Sequence, residues 1–184
     1  MMDLFDSSGS KSPSQDLAQR PLADILRPKI LSHVIGQCQI LGPNGPLSTM
    51  LESGILGSIV FWGPPGVGKT TIARLLAQET GLYFVQISAI FSGIPELRRV
   101  FESAGIRRDN GQGTLLFVDE IHRFNKAQQY SFLPLMEDGN IVLIGATTEN
   151  PSFELNAAVL SRSQVMVLER LNKDDLELLA QRAE

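Results

Sequence analysis

Eight consecutive residues, Gly63-Pro64-Pro65-Gly66-Val67-Gly68-Lys69-Thr70, fit the spacing G-x-x-x-x-G-K-[ST], and a helical pattern begins at their end. That spacing has a chemical reason. Glycines admit the left-handed dihedrals that turn successive N–H groups inward around a phosphate, and a side chain at those points would block its approach. A helix starting near Lys69 adds its unpaired N–H groups and the positive end of its dipole at the same place. Lys69 brings a point charge for the β and γ phosphates, and the Thr70 hydroxyl is placed to ligate Mg²⁺. The expectation is a nucleotide triphosphate held with Mg²⁺ by Gly63 through Thr70, with Thr71 counted in the same set. A Gly/Pro turn that fits the spacing by chance is the other reading, and the strand before it and the helix after it count against that.

Fifty residues after Lys69, the run Thr114-Leu115-Leu116-Phe117-Val118 ends in Asp119-Glu120. A strand with four apolar residues before an acid can be buried and still deliver a carboxylate to its loop edge. Asp119 would hold the Mg²⁺ through water. Glu120 would act as general base, or orient the water that attacks the γ-phosphate. A further strand ends Gly145-Ala146-Thr147-Thr148-Glu149-Asn150. Thr148, and second to it Thr147, is the candidate for a hydroxyl that senses the γ-phosphate; a plain turn role is the alternative. Leu160-Ser161-Arg162-Ser163 precedes the last strand, where an exposed Arg162 either reaches a neighbouring subunit's γ-phosphate or is an ordinary surface arginine. His122, just after the acid pair, reads as a packing or helix-start residue rather than a base.

The elements that must position these groups alternate in type. Apolar runs of strand length lie at 55–62, 83–87, 115–118, 141–144 and 165–168, with helical patterns at 69–80 and 95–104 between them. Residues 126–137 also read as a helix, which Pro134 is expected to kink. Nearly unbroken apolar strands alternating with helices predict a parallel sheet covered on both faces. Right-handed crossovers then gather the loops after the strands along one edge, where the functional residues should sit. Residues 1–20, rich in Ser, Asp, Gln and Lys, lack the apolar content for a core and read as a flexible leader, in which Leu4 and Phe5 read as part of an untidy terminus rather than as a docking peptide.

Composition bounds the rest. The chain has 184 residues, 43% hydrophobic and 20% charged, which suits one globular domain or slightly more. Its single cysteine, Cys38, permits no internal disulfide, and a reducing, cytoplasmic setting is expected. No apolar run approaches the roughly 18 residues needed to cross a bilayer, and Asp3 and Asp6 stand where a signal peptide would be basic, so neither secretion nor a membrane is expected. A net charge of −4 gives no electrostatic footprint for a dedicated DNA-binding domain.

Taken in order, these motifs resemble the AAA+ ATPases. The strings Asp119-Glu-Ile-His-Arg-Phe-Asn-Lys-Ala-Gln-Gln129, Gly145-Ala-Thr-Thr-Glu-Asn-Pro-Ser-Phe-Glu154 and Leu160-Ser-Arg162 are similar to those of one branch in particular. That branch is the replication-associated recombination factors, bacterial RarA (also called MgsA) and the eukaryotic Werner-helicase-interacting protein. Pro21-Leu-Ala23, Leu26-Arg-Pro28 and Ile35-Gly-Gln37 resemble its opening segment. The resemblance covers residues 21–171. It implies an α/β P-loop fold with a five-stranded parallel sheet in the order 5-1-4-3-2. It also implies an ATPase related to clamp-loader subunits, acting at stalled forks, DNA ends and gaps, nucleoid-associated and in company with single-strand binding protein. Residue by residue it implies Lys69 and Thr70 on phosphate and Mg²⁺, Asp119 on Mg²⁺, Glu120 as base, Thr148 as sensor and Arg162 as a finger acting in trans. Arg27, Ile35 and Gly36 are carried over to the adenine. The family continues into a helical lid and a domain that makes a tetramer, so residues 172–184, capped by Asn172, are expected to be the first helix of an incomplete lid, with Leu176, Leu179 and Ala183 as an uncovered apolar stripe. Two other readings stand beside this one: a clamp-loader-like or branch-migration motor subunit, and an ATP-binding fragment that does not hydrolyse.

Overall fold

The computed structural model describes residues 27–181. The expectations for the leader, for Pro21 to Leu26 and for Ala183 lie outside the described residues. Five strands, β1 (Ser58–Trp62), β2 (Tyr83–Ser88), β3 (Thr114–Asp119), β4 (Ile141–Thr147) and β5 (Ser163–Val167), form one sheet in the order β2-β3-β4-β1-β5. All pairings are parallel. Read from the other edge, this is the expected order 5-1-4-3-2.

The three central strands owe their place to residues that are apolar on both faces. Ile59 and Phe61 of β1, Leu115 and Phe117 of β3, and Ile144 and Ala146 of β4 enter one core. That core is closed by α1 (Cys38–Leu41), α2 (Pro46–Glu52) and above all by Ile72, Ala73 and Leu76 of α3 (Lys69–Glu79). The alternate residues Val60, Leu116, Val118 and Leu143 enter a second core, with Leu97 and Ala104 of α4 (Ile94–Asp109). The edge strands differ from the expectation of full cover. On β5 Met166 is buried, whereas Val165 and Val167 are 40% and 48% exposed, because an edge strand has a neighbour on one side only.

The ladder of β1 starts at Ser58 rather than at Ile55, which is exposed. Residues 126–137 do not make one kinked helix. They form α5 (Lys126–Tyr130) and α6 (Leu133–Glu137), and Pro134 falls in the first turn of the second, where its missing N–H has no partner to lose. The short helices α7 (Pro151–Glu154) and α8 (Ala157–Leu160) lead to β5, and α9 (Lys173–Gln181) follows it. Asn172 caps α9 as expected: its Oδ1 accepts from the Asp175 N–H at 2.8 Å, and Asp175 Oδ2 accepts from the Asn172 N–H at 3.1 Å. Of the expected bare stripe, Leu179 is half-buried on the wall of a cavity beside the phosphate loop, and Leu176 is 54% exposed.

Candidate nucleotide site

The loop after β1 turns on Gly66 (φ 79°) and Gly68 (φ 98°), dihedrals that a side-chain-bearing residue adopts only under strain. A Cβ at Gly66 would meet nothing within 4 Å of the protein, so the glycine answers to conformation and to the open space above the loop. Gly63 donates its N–H to the Thr147 carbonyl at 3.1 Å, which fastens the loop to the end of β4. Lys69 is 8% exposed, and its ammonium donates to the carbonyls of Gly63 at 2.7 Å and Pro64 at 2.8 Å. Burial lowers its pKa from the usual lysine value, and the carboxylates of Glu120 and then Asp119 act in the opposite direction.

Two cavities flank this loop. The polar one, about 610 Å³, has Pro65, Lys69, Thr70, Asp119 and Glu120 in its wall. The other, about 320 Å³ and mostly apolar, is walled by Ile35, Val67, Leu171 and Leu179 among others. Gly66, Gly68, Thr71 and Arg27 border both. An apolar slot and a polar chamber that share the glycine loop as a border match a base and its phosphates. Gly36 is not in either wall. A Cβ there would stand 2.7 Å from Leu171 Cδ2 and 3.2 Å from Asp175 Oδ2, so Gly36 lets the start of α9 approach. Gln37 straps the same region: its amide donates to the Glu169 carbonyl at 2.7 Å and accepts from the Glu169 N–H at 3.0 Å.

Thr70 and Asp119 offer hard oxygen donors to one cavity. Among the described residues no group of three or more His, Cys, Asp and Glu is arranged to hold a metal by itself. Such a donor set fits Mg²⁺, which binds through one or two protein oxygens and takes its other ligands from phosphate and water.

Glu120 sits just past β3 with φ 51° and ψ 45°, a left-handed conformation that the turn Ile121–Arg123 imposes on it. Ile121 is fully buried against Gly145 of β4, where a Cβ would come within 2.9 Å of its Cδ1. Thr148 Oγ1 lies 3.5 Å from Glu120 Oε2. Thr147 turns the other way, is fully buried and meets the His122 ring.

Arg162 does not join this group. It precedes β5, and Ser163 pairs with Ser58 at the start of β1, so it stands at the edge of the sheet opposite the phosphate loop, about 15 Å away by strand rise. The expectation that all functional residues share the edge after the strands fails here, because Arg162 enters a strand instead of leaving one. Its guanidinium pairs with Glu137 of α6 and donates to the Ala158 carbonyl at 3.1 Å.

Sequence reasoning missed Arg74 and Gln86, which also border the polar cavity. Arg74 lies four residues after Thr70, on the same helix face, and its guanidinium donates to Gln86 Oε1 at 2.7 Å while resting 4.7 Å over the Phe84 ring. The isolated polar Gln86 in the apolar run Tyr83-Phe84-Val85 was the available signal. His122 was seen but not its partners.

Residues 59–171 match the model of the ATPase family associated with various cellular activities. The chain belongs to the AAA ATPase family. It is 51% identical over 158 residues, 86% of its length, to Replication-associated recombination protein A of Escherichia coli K12, and 45% identical over 162 residues, 88% of its length, to ATPase WRNIP1 of Dictyostelium discoideum. It spans 35% of the first relative and 18% of the second. Among solved structures, the Thermotoga maritima RuvB Holliday junction branch migration motor superposes with a TM-score of 0.68 at 29% identity, over 85% of this chain and 53% of that one. The AAA fold expected from the motifs, and the likeness to the replication-associated recombination factors, are therefore both found.

Proposed function

We propose that residues 21–171 are the ATP-binding and ATP-hydrolysing core of a replication and recombination-repair ATPase, and that residues 172–184 begin its lid. The observation that carries this is the 51% identity to Replication-associated recombination protein A across a stretch that includes the whole polar cavity. In this reading the loop from Gly63 to Thr71 holds the phosphates, and the Lys69 ammonium exchanges its two carbonyl partners for phosphate oxygens. Thr70 and Asp119 would hold Mg²⁺, which would supply neutralisation of the phosphate charge. Glu120 takes the proton of the attacking water, and Thr148 steadies Glu120 and reports the γ-phosphate. Ile35, Val67 and Leu179 enclose the base, with Arg27 beside it and Gly36 setting the approach of α9. Arg162 acts on a nucleotide held by a neighbouring subunit, because its own loop is at the far edge of the sheet.

The whole protein acts on forked, gapped or single-stranded-end DNA, together with single-strand binding protein, as a homo-oligomer associated with the nucleoid in the cytoplasm; a tetramer is the assembly that the family likeness suggests. A clamp-loader-like or branch-migration motor is the second reading, favoured by the RuvB likeness, and the lower identity of 29% ranks it second. DNA-stimulated ATP turnover of the native protein separates the two. Stimulation by forked or gapped DNA above that by four-way junctions supports the first reading, and the reverse order supports the second. Turnover by the 184-residue chain equal to that of the native protein would exclude a non-hydrolysing fragment.

A further inference from the structure

The carboxylate of Glu120 is tied down by a residue to which the motifs assign no chemistry. His122 Nδ1 lies 3.2 Å from Glu120 Oε2 and 2.9 Å from Thr147 Oγ1, and the His122 side chain is only 5% exposed. Thr147 Oγ1 also accepts from the Glu149 N–H at 3.0 Å and donates its own proton to the Glu149 carbonyl at 3.2 Å. With that proton committed, and with an ionised carboxylate able only to accept, one arrangement satisfies every atom: Nδ1 carries a proton and donates it toward both Glu120 and Thr147. Ile121, packed on Gly145, holds the turn that presents the ring.

We infer that His122 is a positioning residue, which fixes the Glu120 carboxylate relative to the end of β4. This inference rests on the reading of Glu120 as the hydrolytic base. The physical logic is geometric. Glu120 stands in a left-handed turn just outside the sheet, where a carboxylate on three rotatable bonds has several rotamers. A second contact, from Thr148 at 3.5 Å, is long, so the shorter donor from the buried ring sets the orientation. Because Thr147 is the last residue of β4 and its carbonyl accepts from the Gly63 N–H, the same ring joins the base to the strand end that anchors the phosphate loop.

The test uses the native protein, with kcat measured at saturating ATP and affinity measured with a fluorescent ATP analogue. His122→Leu keeps the buried volume and removes the donor. His122→Asn keeps an N–H close to the Nδ1 position. The inference expects kcat of His122→Leu to fall about 100-fold, as for a reacting group misplaced by about an ångström, with analogue affinity within about twofold of wild type. His122→Asn should recover at least about tenfold of that loss. An unchanged kcat in His122→Leu would overturn the inference, as would equal losses of kcat and affinity in both variants, which would mark a packing role. Wild-type turnover that Glu120→Gln leaves intact would instead overturn the reading of Glu120 on which the inference stands.

Discussion

Opposing influences act on the charge of Lys69. Burial pulls its ammonium below the ordinary lysine value of 10.5, while Glu120 and, less, Asp119 support the charge. Between the lowered value and 10.5 the unfolded chain holds the proton that the native chain has released, so native stability rises with pH across that interval. Phosphate binding runs the other way, since it needs the protonated amine and weakens as pH climbs through the lowered value. Glu120→Gln removes the larger of the two supporting charges. Its loss of ATP affinity on alkaline titration should therefore begin at a lower pH than in the wild type, and coincident titration curves would contradict this. At this scale the sequence was informative where chemistry is local: the loop glycines, Lys69 and Asp119-Glu120 are recognisable from type and spacing. His122 and the two threonines were harder. Successive residues at a strand end point opposite ways, so one of Thr147 and Thr148 had to turn inward, but the partners waiting on each side come from a segment 25 residues away.

The segments that carry the family resemblance meet at Gln129. Its side chain, 2% exposed, donates to the Phe124 carbonyl at 3.0 Å and the Glu154 carbonyl at 3.2 Å, and accepts from the Asn156 N–H at 2.8 Å. Asn156 in turn caps α8, the helix that ends beside Arg162. One buried amide thus joins the segment after β3 to the segments after β4. Gln129→Leu strands three buried backbone groups, and it should lower unfolding free energy by roughly 3 kcal/mol in denaturant titration. A change below about 0.5 kcal/mol would show that water replaces the amide. Gly145→Ala pushes a methyl into Ile121, and overpacking of this kind costs about 1–3 kcal/mol. The same melt should show it, with turnover falling as the Glu120 turn shifts. The central strands were legible because they are apolar on both faces. The edges of β5 and the break between α5 and α6 were not, since both depend on which neighbours are missing or which turn starts a new helix.

Across the whole molecule the proposed role of Arg162 turns on its separation from the phosphate loop. A residue at the start of β5 cannot reach past five strand positions to its own phosphate loop, so the proposed role of Arg162 in hydrolysis is one between copies. Arg162→Ala should leave ATP affinity within about twofold and reduce turnover by about three orders of magnitude. Mixing inactive Arg162→Ala protein with inactive Lys69→Ala protein should restore turnover, because a Lys69→Ala subunit still offers its arginine to an intact neighbouring site. Mixtures as inactive as their components would contradict the trans assignment. The net charge of −4 gives no sign of DNA at the level of composition. ATP turnover of the native protein, wild type against Glu120→Gln with nucleotide binding followed in the same samples, tests the proposed site most directly. The expected result is wild-type turnover, a loss of about 100-fold or more in the variant and unchanged binding in both. Undiminished turnover in Glu120→Gln, or binding lost along with it, would contradict the account.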